Sequence, residues 1–96
     1  MKQWLHLCNN QDFVENSAVL FLITGIVERT LYKYRNRGLR FIYMDAGHLV
    51  ENMYLAATNE DIKACSLGGV YDTEAEQLLE IDGFQETFIY ALVAGN

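Results

Sequence analysis

A long helical repeat in the second half of the chain most constrains its fold. Between residues 39 and 59, apolar side chains recur with the period of an α-helix. The polar residues Asp45, His48 and Asn52 form only a narrow stripe within this repeat. The spacing therefore predicts a helix that is buried inside the domain or against another polypeptide. The apolar positions are Ile42, Tyr43, Ala46, Leu49, Val50, Met53, Tyr54, Ala56 and Ala57.

Length and charge limit the classes of protein to which the chain can belong. Its 96 residues suffice for one small domain, and 51% of them are hydrophobic, which favours a domain that buries surface against a partner. The net charge of -6 argues against nucleic acid as a partner, because phosphate-binding proteins are usually basic. The longest apolar run, residues 17–27, is shorter than the roughly 20 residues that a membrane helix needs. We therefore expect no nucleic-acid partner and no membrane association.

The two cysteines indicate a reducing compartment. Cys8 and Cys65 are far apart in the sequence and form no C-x-x-C motif. We therefore expect a cytoplasmic protein. With only His6 and His48 as possible nitrogen ligands, we expect no metal site. Cys65 falls inside a strand that is predicted to be buried, so its thiol is expected to be unreactive.

The remaining patterns predict an α+β sandwich with the element order βααβαβ. Residues 18–24 are β-branched or aromatic and apolar on both faces, which is typical of a central strand. Asp72 is predicted to cap the helix that follows Gly68 and Gly69. Residues 1–16 form an uncertain segment with one turn or a short helix. The predicted elements are a strand at 18–24, helices at 26–34 and 39–59, a strand at 62–67, a helix from 72, and a strand at 86–93.

A local basic segment is the first candidate for chemistry. Five of the seven basic residues lie between Arg29 and Arg40 in an otherwise acidic chain. Within this segment Lys33 precedes Tyr34, and neighbouring cations favour the neutral amine, which accepts a proton. The pair is therefore a candidate proton acceptor and donor. The alternative interpretation is a solvated basic loop without a chemical role.

Two adjacent glycines are the second candidate. Gly68 and Gly69 follow a predicted strand, and without Cβ atoms their amides can approach a flat ligand or an oxyanion closely. The alternative is a tight turn that needs positive φ angles. His48 is a third, weaker candidate, because a single histidine on a mostly apolar helix is usually a core residue.

Several short segments together resemble the C-terminal half of the nitroreductase-like superfamily. The similarity is to the SagB-type dehydrogenases, which oxidise azolines in ribosomally made peptides. It extends over residues 16–95, and the order and spacing of the segments are those of the family. The matching segments are residues 17–24, 28–30, 33–34, 37–41, 45–52, 66–70 and 89–95.

The resemblance implies a dimeric, FMN-dependent fold built around the long helix. It places the backbone that follows the second strand against the isoalloxazine ring, where amides stabilise negative charge on the reduced flavin. It also implies that Lys33 and Tyr34 remove a proton from the heterocycle while a hydride leaves for the flavin. The implied flavin-contacting residues are Ser66, Leu67, Gly68 and Gly69.

Departures from the family pattern change what is expected of this chain alone. The family's phosphate-binding motif, which contains Arg and Ser, has no counterpart in residues 1–16. We therefore expect one truncated domain, residues 1–96, that needs an N-terminal half or a partner for activity. Ser66 stands where proline is common, and Leu39 stands where an aromatic residue is common.

Three functions follow from these observations. The first is part of an FMN-dependent oxidoreductase that resembles the azoline oxidases, acts on a peptide and forms a dimer or pairs with a second polypeptide. The second is a non-catalytic, nitroreductase-like remnant that serves as an interaction or scaffold subunit. The third is a binding module for another anion. Lys33 and Tyr34 favour the first function, whereas the missing phosphate-binding half favours the second.

Overall fold

Five α-helices and three strands make up the part of the chain that the structure describes, residues 2–95 of a computed structural model. A 3-10 turn at Arg35–Arg37 separates the third and fourth helices. In chain order the elements are α1 Lys2–Leu7, α2 Asp12–Glu15, β1 Val19–Ile26, α3 Val27–Tyr34, α4 Gly38–Asn59, β2 Ala64–Leu67, α5 Asp72–Leu79 and β3 Glu86–Ala94. The predicted α+β sandwich is confirmed, and the uncertain N-terminal segment contains two short helices.

The three strands form one antiparallel sheet in the order β1-β3-β2. The prediction that the first strand is central was wrong, because β1 lies at an edge and β3 lies in the middle. Helices cover both faces of the sheet, so even an edge strand carries apolar residues on both faces. Side chains of β3 are correspondingly the most buried, with Ala91 and Leu92 almost fully enclosed.

A β-bulge in β3 reorients the side chains at one end of the sheet. Ile23 is opposite Tyr90 and Thr24 is opposite Phe88, so Ile89 is the extra residue. Phe88 packs into the cluster on one face of the sheet, whereas Ile89 shares the other face with Ile42 of α4. The bulge thus leaves two consecutive residues, Ile89 and Tyr90, on the same side of the sheet, toward α4.

The larger core cluster lies between the sheet and the helices α1, α2 and α5. It brings together residues that are far apart in the sequence, such as Val14 from α2 and Val93 from β3. Burying such side chains contributes roughly 25 cal/mol per Å² of apolar surface. The buried members are Leu7, Cys8, Val14, Leu67, Ala75, Phe88, Ala91 and Val93.

The opposite face of the sheet is covered by α3 and α4. One turn-spaced row of α4 is buried, formed by Ile42, Ala46 and Val50. Gly38 begins the helix where α3 crosses it, and a Cβ there would lie 2.8 Å from Leu31 Cδ2 and 3.1 Å from the Leu31 backbone nitrogen. A Cβ at this corner would force Leu31 to shift, so the close approach of α3 and α4 favours glycine here. The outer face of α4 is exposed and mixes polar residues with large apolar ones; the exposed large apolar residues of the helix are Leu39, Tyr43, Met44, Leu49 and Leu55.

Three local predictions were wrong. Asp72 is the first helical residue of α5 rather than its N-cap, a position that Tyr71 occupies without a side-chain hydrogen bond. Cys65 is exposed, because β2 is an edge strand and Cys65 lies beside an open pocket that Val93 also lines. His48 is exposed rather than in the core.

Among residues 2–95, no helix has the length and apolar character needed to cross a membrane.

Candidate functional site

Gly68 and Gly69 lie at the surface directly after the buried end of β2. Neither glycine has a φ angle in the left-handed region, so a turn with positive φ does not account for them. No atom lies within 4 Å of the place that a Cβ of Gly68 would occupy. Packing inside this chain therefore does not require glycine at position 68, and open space adjoins its backbone.

That open space is part of a cleft of about 320 Å³ between the β2–α5 loop, β3 and α4. Gly47 of α4 also lines it, and no atom beyond its own helix backbone and chain neighbours lies within 4 Å of its missing Cβ. At these two positions the lining of the cleft carries no side chain. The lining residues are Tyr43, Ala46, Gly47, Leu67, Gly68, Val70, Asp72, Phe88, Ile89 and Tyr90.

The backbone amides of Gly68 and Gly69 are available as hydrogen-bond donors. Among residues 2–95, no backbone or side-chain acceptor pairs with either N–H group. The next fixed point is Tyr71, whose N–H donates to the Leu7 carbonyl at 2.9 Å and whose hydroxyl donates to Asn9 Oδ1 at 3.1 Å. Successive unpaired amides at a strand end can hold an anionic or carbonyl oxygen.

Ser66 is held by two tyrosines rather than exposed to the cleft as a free donor. Its N–H donates to the Tyr54 hydroxyl, and its Oγ accepts hydrogen bonds from Tyr54 at 3.0 Å and from Tyr90 at 2.9 Å. Leu67 is buried, with 2% of its surface exposed. Of the four predicted flavin-contacting residues, Gly68 and Gly69 therefore have the accessible backbone.

Lys33 and Tyr34 lie elsewhere, at the exposed C-terminal end of α3. The Lys33 ammonium is 5.2 Å from the centre of the Tyr34 ring, and Tyr34 packs edge-on against Phe41 at 4.7 Å. Neither residue lines the cleft of Gly68. The structure thus places the two halves of the predicted site on separate elements without bringing them together.

The basic segment around Lys33 is exposed and lacks acidic partners. The one salt-bridge contact found within the described part of the chain is between His6 Nε2 and Glu74 Oε2 at 3.7 Å, far from this segment in sequence. Arg35 has a φ of 56° at the junction of α3 and the 3-10 turn, a conformation that residues other than glycine adopt rarely. The five cations therefore surround a sharp and strained corner.

Sequence reasoning missed two residues that line the cleft, Gly47 and Tyr90, and treated Tyr43 and Tyr54 as part of the apolar side of the long helix. One signal could have revealed Gly47, because glycine inside a helix costs about 0.5–1 kcal/mol relative to alanine and so suggests a local requirement. No comparable signal marks Tyr54 or Tyr90. Their hydroxyls meet Ser66 only because α4, β2 and β3 are neighbours in space.

The fold and this cleft define an α+β domain of the nitroreductase type. The chain belongs to the nitroreductase family, since the family model matches residues 3–96. It is 35% identical over 71 residues to a protein of Methanocaldococcus jannaschii that is named as a nitroreductase. That match covers 74% of this chain and 36% of the relative.

Two solved structures are similar to this chain over most of its length. One is a crystal structure of a nitroreductase from Anabaena variabilis, with a TM-score of 0.86, 27% identity, and coverage of 99% of this chain and 19% of the other. The second is a chain of the Escherichia coli microcin synthetase McbBCD complex with truncated pro-MccB17 bound. There the TM-score is 0.76, the identity is 25%, and the match covers 80% of this chain and 29% of the other. The chain thus spans only a minor part of each relative's length.

The cleft fits part of FMN, the flavin that nitroreductases commonly bind. Gly47 and Gly68 leave open space in the lining, and the unpaired amide of Gly68 can donate to a carbonyl oxygen of the ring. Asp72 adds a carboxylate to the lining, which disfavours a phosphate there. The described residues therefore fit the ring end of the cofactor at this cleft.

Proposed function

We propose that this chain supplies one half of the flavin site of an FMN-dependent oxidoreductase that resembles the azoline oxidases of peptide modification. The observation that supports this most directly is the cleft lined by Gly47 and Gly68, which combines two positions without side chains with the unpaired amide of Gly68. Membership of the nitroreductase family supports the redox class. Similarity to a chain of a peptide-bound microcin synthetase supports a peptide substrate.

The backbone of residues 66–69 would hold the ring of the cofactor. FMN, when bound, supplies a two-electron acceptor for a hydride. Gly68 and Gly69 would donate their amide hydrogens toward the ring, where preorganised donors stabilise developing negative charge. Leu67 would contribute its backbone beside them, and Ser66 would anchor the segment at its start.

Lys33 and Tyr34 would handle the proton that oxidation of an azoline releases. The ring loses two hydrogens when it becomes an azole, one as a hydride and one as a proton. The Lys33 amine would accept the proton from a ring carbon, and the Tyr34 hydroxyl would hold the heterocycle by hydrogen bonding. Both side chains are exposed, so substrate can reach them.

Completion of the site would require further polypeptide. Lys33 and Tyr34 lie outside the cleft of Gly68, and the chain matches only 19% to 36% of the length of its relatives. Exposed apolar residues on the outer face of α4 supply a surface for a second copy or a second polypeptide. The free thiols of Cys8 and Cys65 support assembly in the cytoplasm.

Replacing the proposed base tests the catalytic assignment. The chain carries an affinity tag, is isolated from its natural cells with the polypeptides that complete it, and is assayed for oxidation of an azoline peptide. Lys33→Ala should lower turnover at least roughly a hundredfold while the visible flavin spectrum persists, because proton transfer contributes about that much or more. Lys63→Ala, an exposed lysine outside the basic segment, is the matched control. Turnover that survives Lys33→Ala would contradict the role of this lysine.

A non-catalytic scaffold subunit is the second candidate. It is favoured by the separation of Lys33 and Tyr34 from the cleft and by the small share of each relative that the chain represents. The same preparation distinguishes the two functions. A stable assembly that contains this chain but no flavin, and whose activity is equal with and without Lys33→Ala, would support the scaffold.

A further inference from the structure

Three hydroxyl groups from three elements meet at the start of the glycine segment. Tyr54 comes from α4, Tyr90 from the central strand β3, and Ser66 from β2. Both tyrosine hydroxyls donate to Ser66 Oγ, and the Ser66 N–H donates back to the Tyr54 hydroxyl. Tyr54 thus links the edge strand β2 to α4 by hydrogen bonds, and Tyr90 links it to β3.

The segment after Ser66 has few other attachments. Gly68 makes no contact within 4 Å of its Cβ position, and the amides of Gly68 and Gly69 pair with no acceptor among residues 2–95. Tyr71 is the next residue whose backbone is fixed, by its bond to the Leu7 carbonyl. Before the glycines the chain is anchored by the hydroxyl cluster at Ser66 and by Leu67, which is buried and paired with Ala91 of β3, and after them it is anchored by Tyr71.

From this arrangement we propose that Tyr54 and Tyr90 are positioning residues that act through Ser66 to set the orientation of the Gly68 and Gly69 amides. The inference rests on the proposed function, since those amides are the groups assigned to the flavin ring. Tyr54 acts through both the amide and the hydroxyl of Ser66, whereas Tyr90 acts through the hydroxyl alone. This difference separates the two tyrosines experimentally.

The first measurement uses the 96-residue chain without any ligand. Nuclear magnetic resonance gives the exchange rate of the amide at position 66 and the backbone order of Gly68 and Gly69. Tyr54→Phe should speed exchange of that amide roughly fivefold or more, because it removes the hydrogen-bond acceptor. Tyr54→Phe and Tyr90→Phe should both lower the order of the two glycines. Tyr32→Phe, at a residue that is 90% exposed, is the matched control and should change neither quantity.

The second measurement follows FMN affinity and the visible spectrum of bound FMN in the assembled protein. Each Tyr→Phe variant should weaken FMN binding roughly fivefold, the effect of one net hydrogen bond. In a Ser66→Ala background, Tyr90→Phe should not weaken FMN binding further, because the Ser66 Oγ that accepts the hydrogen bond of Tyr90 is already absent. Tyr54→Phe should still weaken binding there, since the amide at position 66 remains. A merely structural loss of stability would not produce this asymmetry.

The outcomes separate the inference from the proposed function. Unchanged glycine order in both tyrosine variants would overturn the inference, as would an equal effect of Tyr90→Phe with and without Ser66→Ala. Lower glycine order combined with the asymmetric FMN affinities would support it. An assembled protein that does not bind FMN at all would contradict the proposed function, and the glycine order would still decide whether the tyrosines position this segment.

Discussion

At the scale of single residues, the two free cysteines differ sharply in their surroundings. Cys8 is fully buried in the core cluster, and burial raises the pKa of its thiol. Cys65 lies exposed on the edge strand β2. Because thiolate and access together control cysteine reactivity, the two residues should react at very different rates.

Alkylation followed by mass spectrometry checks this difference. The folded chain should gain one adduct quickly, at Cys65, and a second adduct at Cys8 only after denaturant is added. Cys65→Ser is the matched variant and should leave the folded chain unmodified over the same period. Rapid modification of Cys8 in that variant would contradict the burial of this thiol.

Asp82 stabilises the turn before β3 in a manner that depends on pH. Its carboxylate accepts hydrogen bonds from the backbone N–H groups of Phe84, Glu86 and Gln85, and these hold the pKa of Asp82 below its usual range. A lowered pKa in the folded state adds stability above the unfolded-state value, and that stability is lost as the pH falls through the folded-state value. The effect therefore belongs to the acid range, below the ordinary aspartate pKa of about 3.9.

Melting temperatures measured from neutral to acid pH test this turn. Asp82→Ala should melt below the natural chain at neutral pH, and the difference should shrink as the pH falls through the folded-state pKa of Asp82. Asp45→Ala removes a carboxylate that accepts no hydrogen bond from the described residues and is the control. A difference for Asp82→Ala that stays constant with pH would show that the charge is not responsible.

At the scale of elements, two glycines of α4 have opposite reasons for being glycine. Gly38 lies where the backbone and side chain of Leu31 leave little room for a Cβ. Gly47 has open space and faces the cleft. The first glycine therefore serves the packing of α3 on α4, and the second costs helix stability without any packing requirement inside this chain.

Alanine substitution at each position separates these roles in urea denaturation. Gly47→Ala should raise the free energy of unfolding by about 0.5–1 kcal/mol, the difference in helix propensity. Gly38→Ala should lower it by roughly 1–3 kcal/mol, because the new methyl group overpacks the α3–α4 corner. Destabilisation by Gly47→Ala would show that this glycine is needed for folding and would weaken its assignment to a binding wall.

The elements were predictable where one stretch of sequence determines them. The period of the apolar residues in α4 and the run of apolar residues in β1 gave both elements to within about two residues. The edge position of β1 was not predictable, because strand order depends on pairing across the chain and a strand covered on both faces looks central. The same limit misplaced Cys65, whose exposure follows from the edge position of β2.

The same distinction between local and long-range signals applies to the candidate site. Gly68 and Gly69 stand out in the sequence because adjacent glycines after a strand are a local signal. The part played by Tyr54 and Tyr90 depends on contacts with Ser66 over 12 and 24 residues of sequence, which no local pattern reveals. Chemistry carried by a short motif was therefore predictable, whereas its support by distant residues required the structure.

At the scale of the whole molecule, the exposed apolar surface indicates that the chain associates with another polypeptide. The outer face of α4 and the edge strand β1 expose several large apolar side chains, including Phe21, Leu49 and Leu55. Surface of this kind favours association. The proposed flavin site is likewise incomplete within these residues, because Lys33 and the cleft of Gly68 are separate. Assembly would thus bury the apolar surface and complete the site together.

The most direct test of this account is an FMN titration of the assembled protein, followed by flavin fluorescence and accompanied by its mass in solution. We predict saturable binding, which Gly68→Leu abolishes by filling the wall of the cleft. Glu15→Leu, an equally bulky change at an exposed residue of α2, should leave binding unchanged. Failure to bind FMN, or equal binding by the Gly68→Leu variant, would contradict the assignment of this cleft to the flavin.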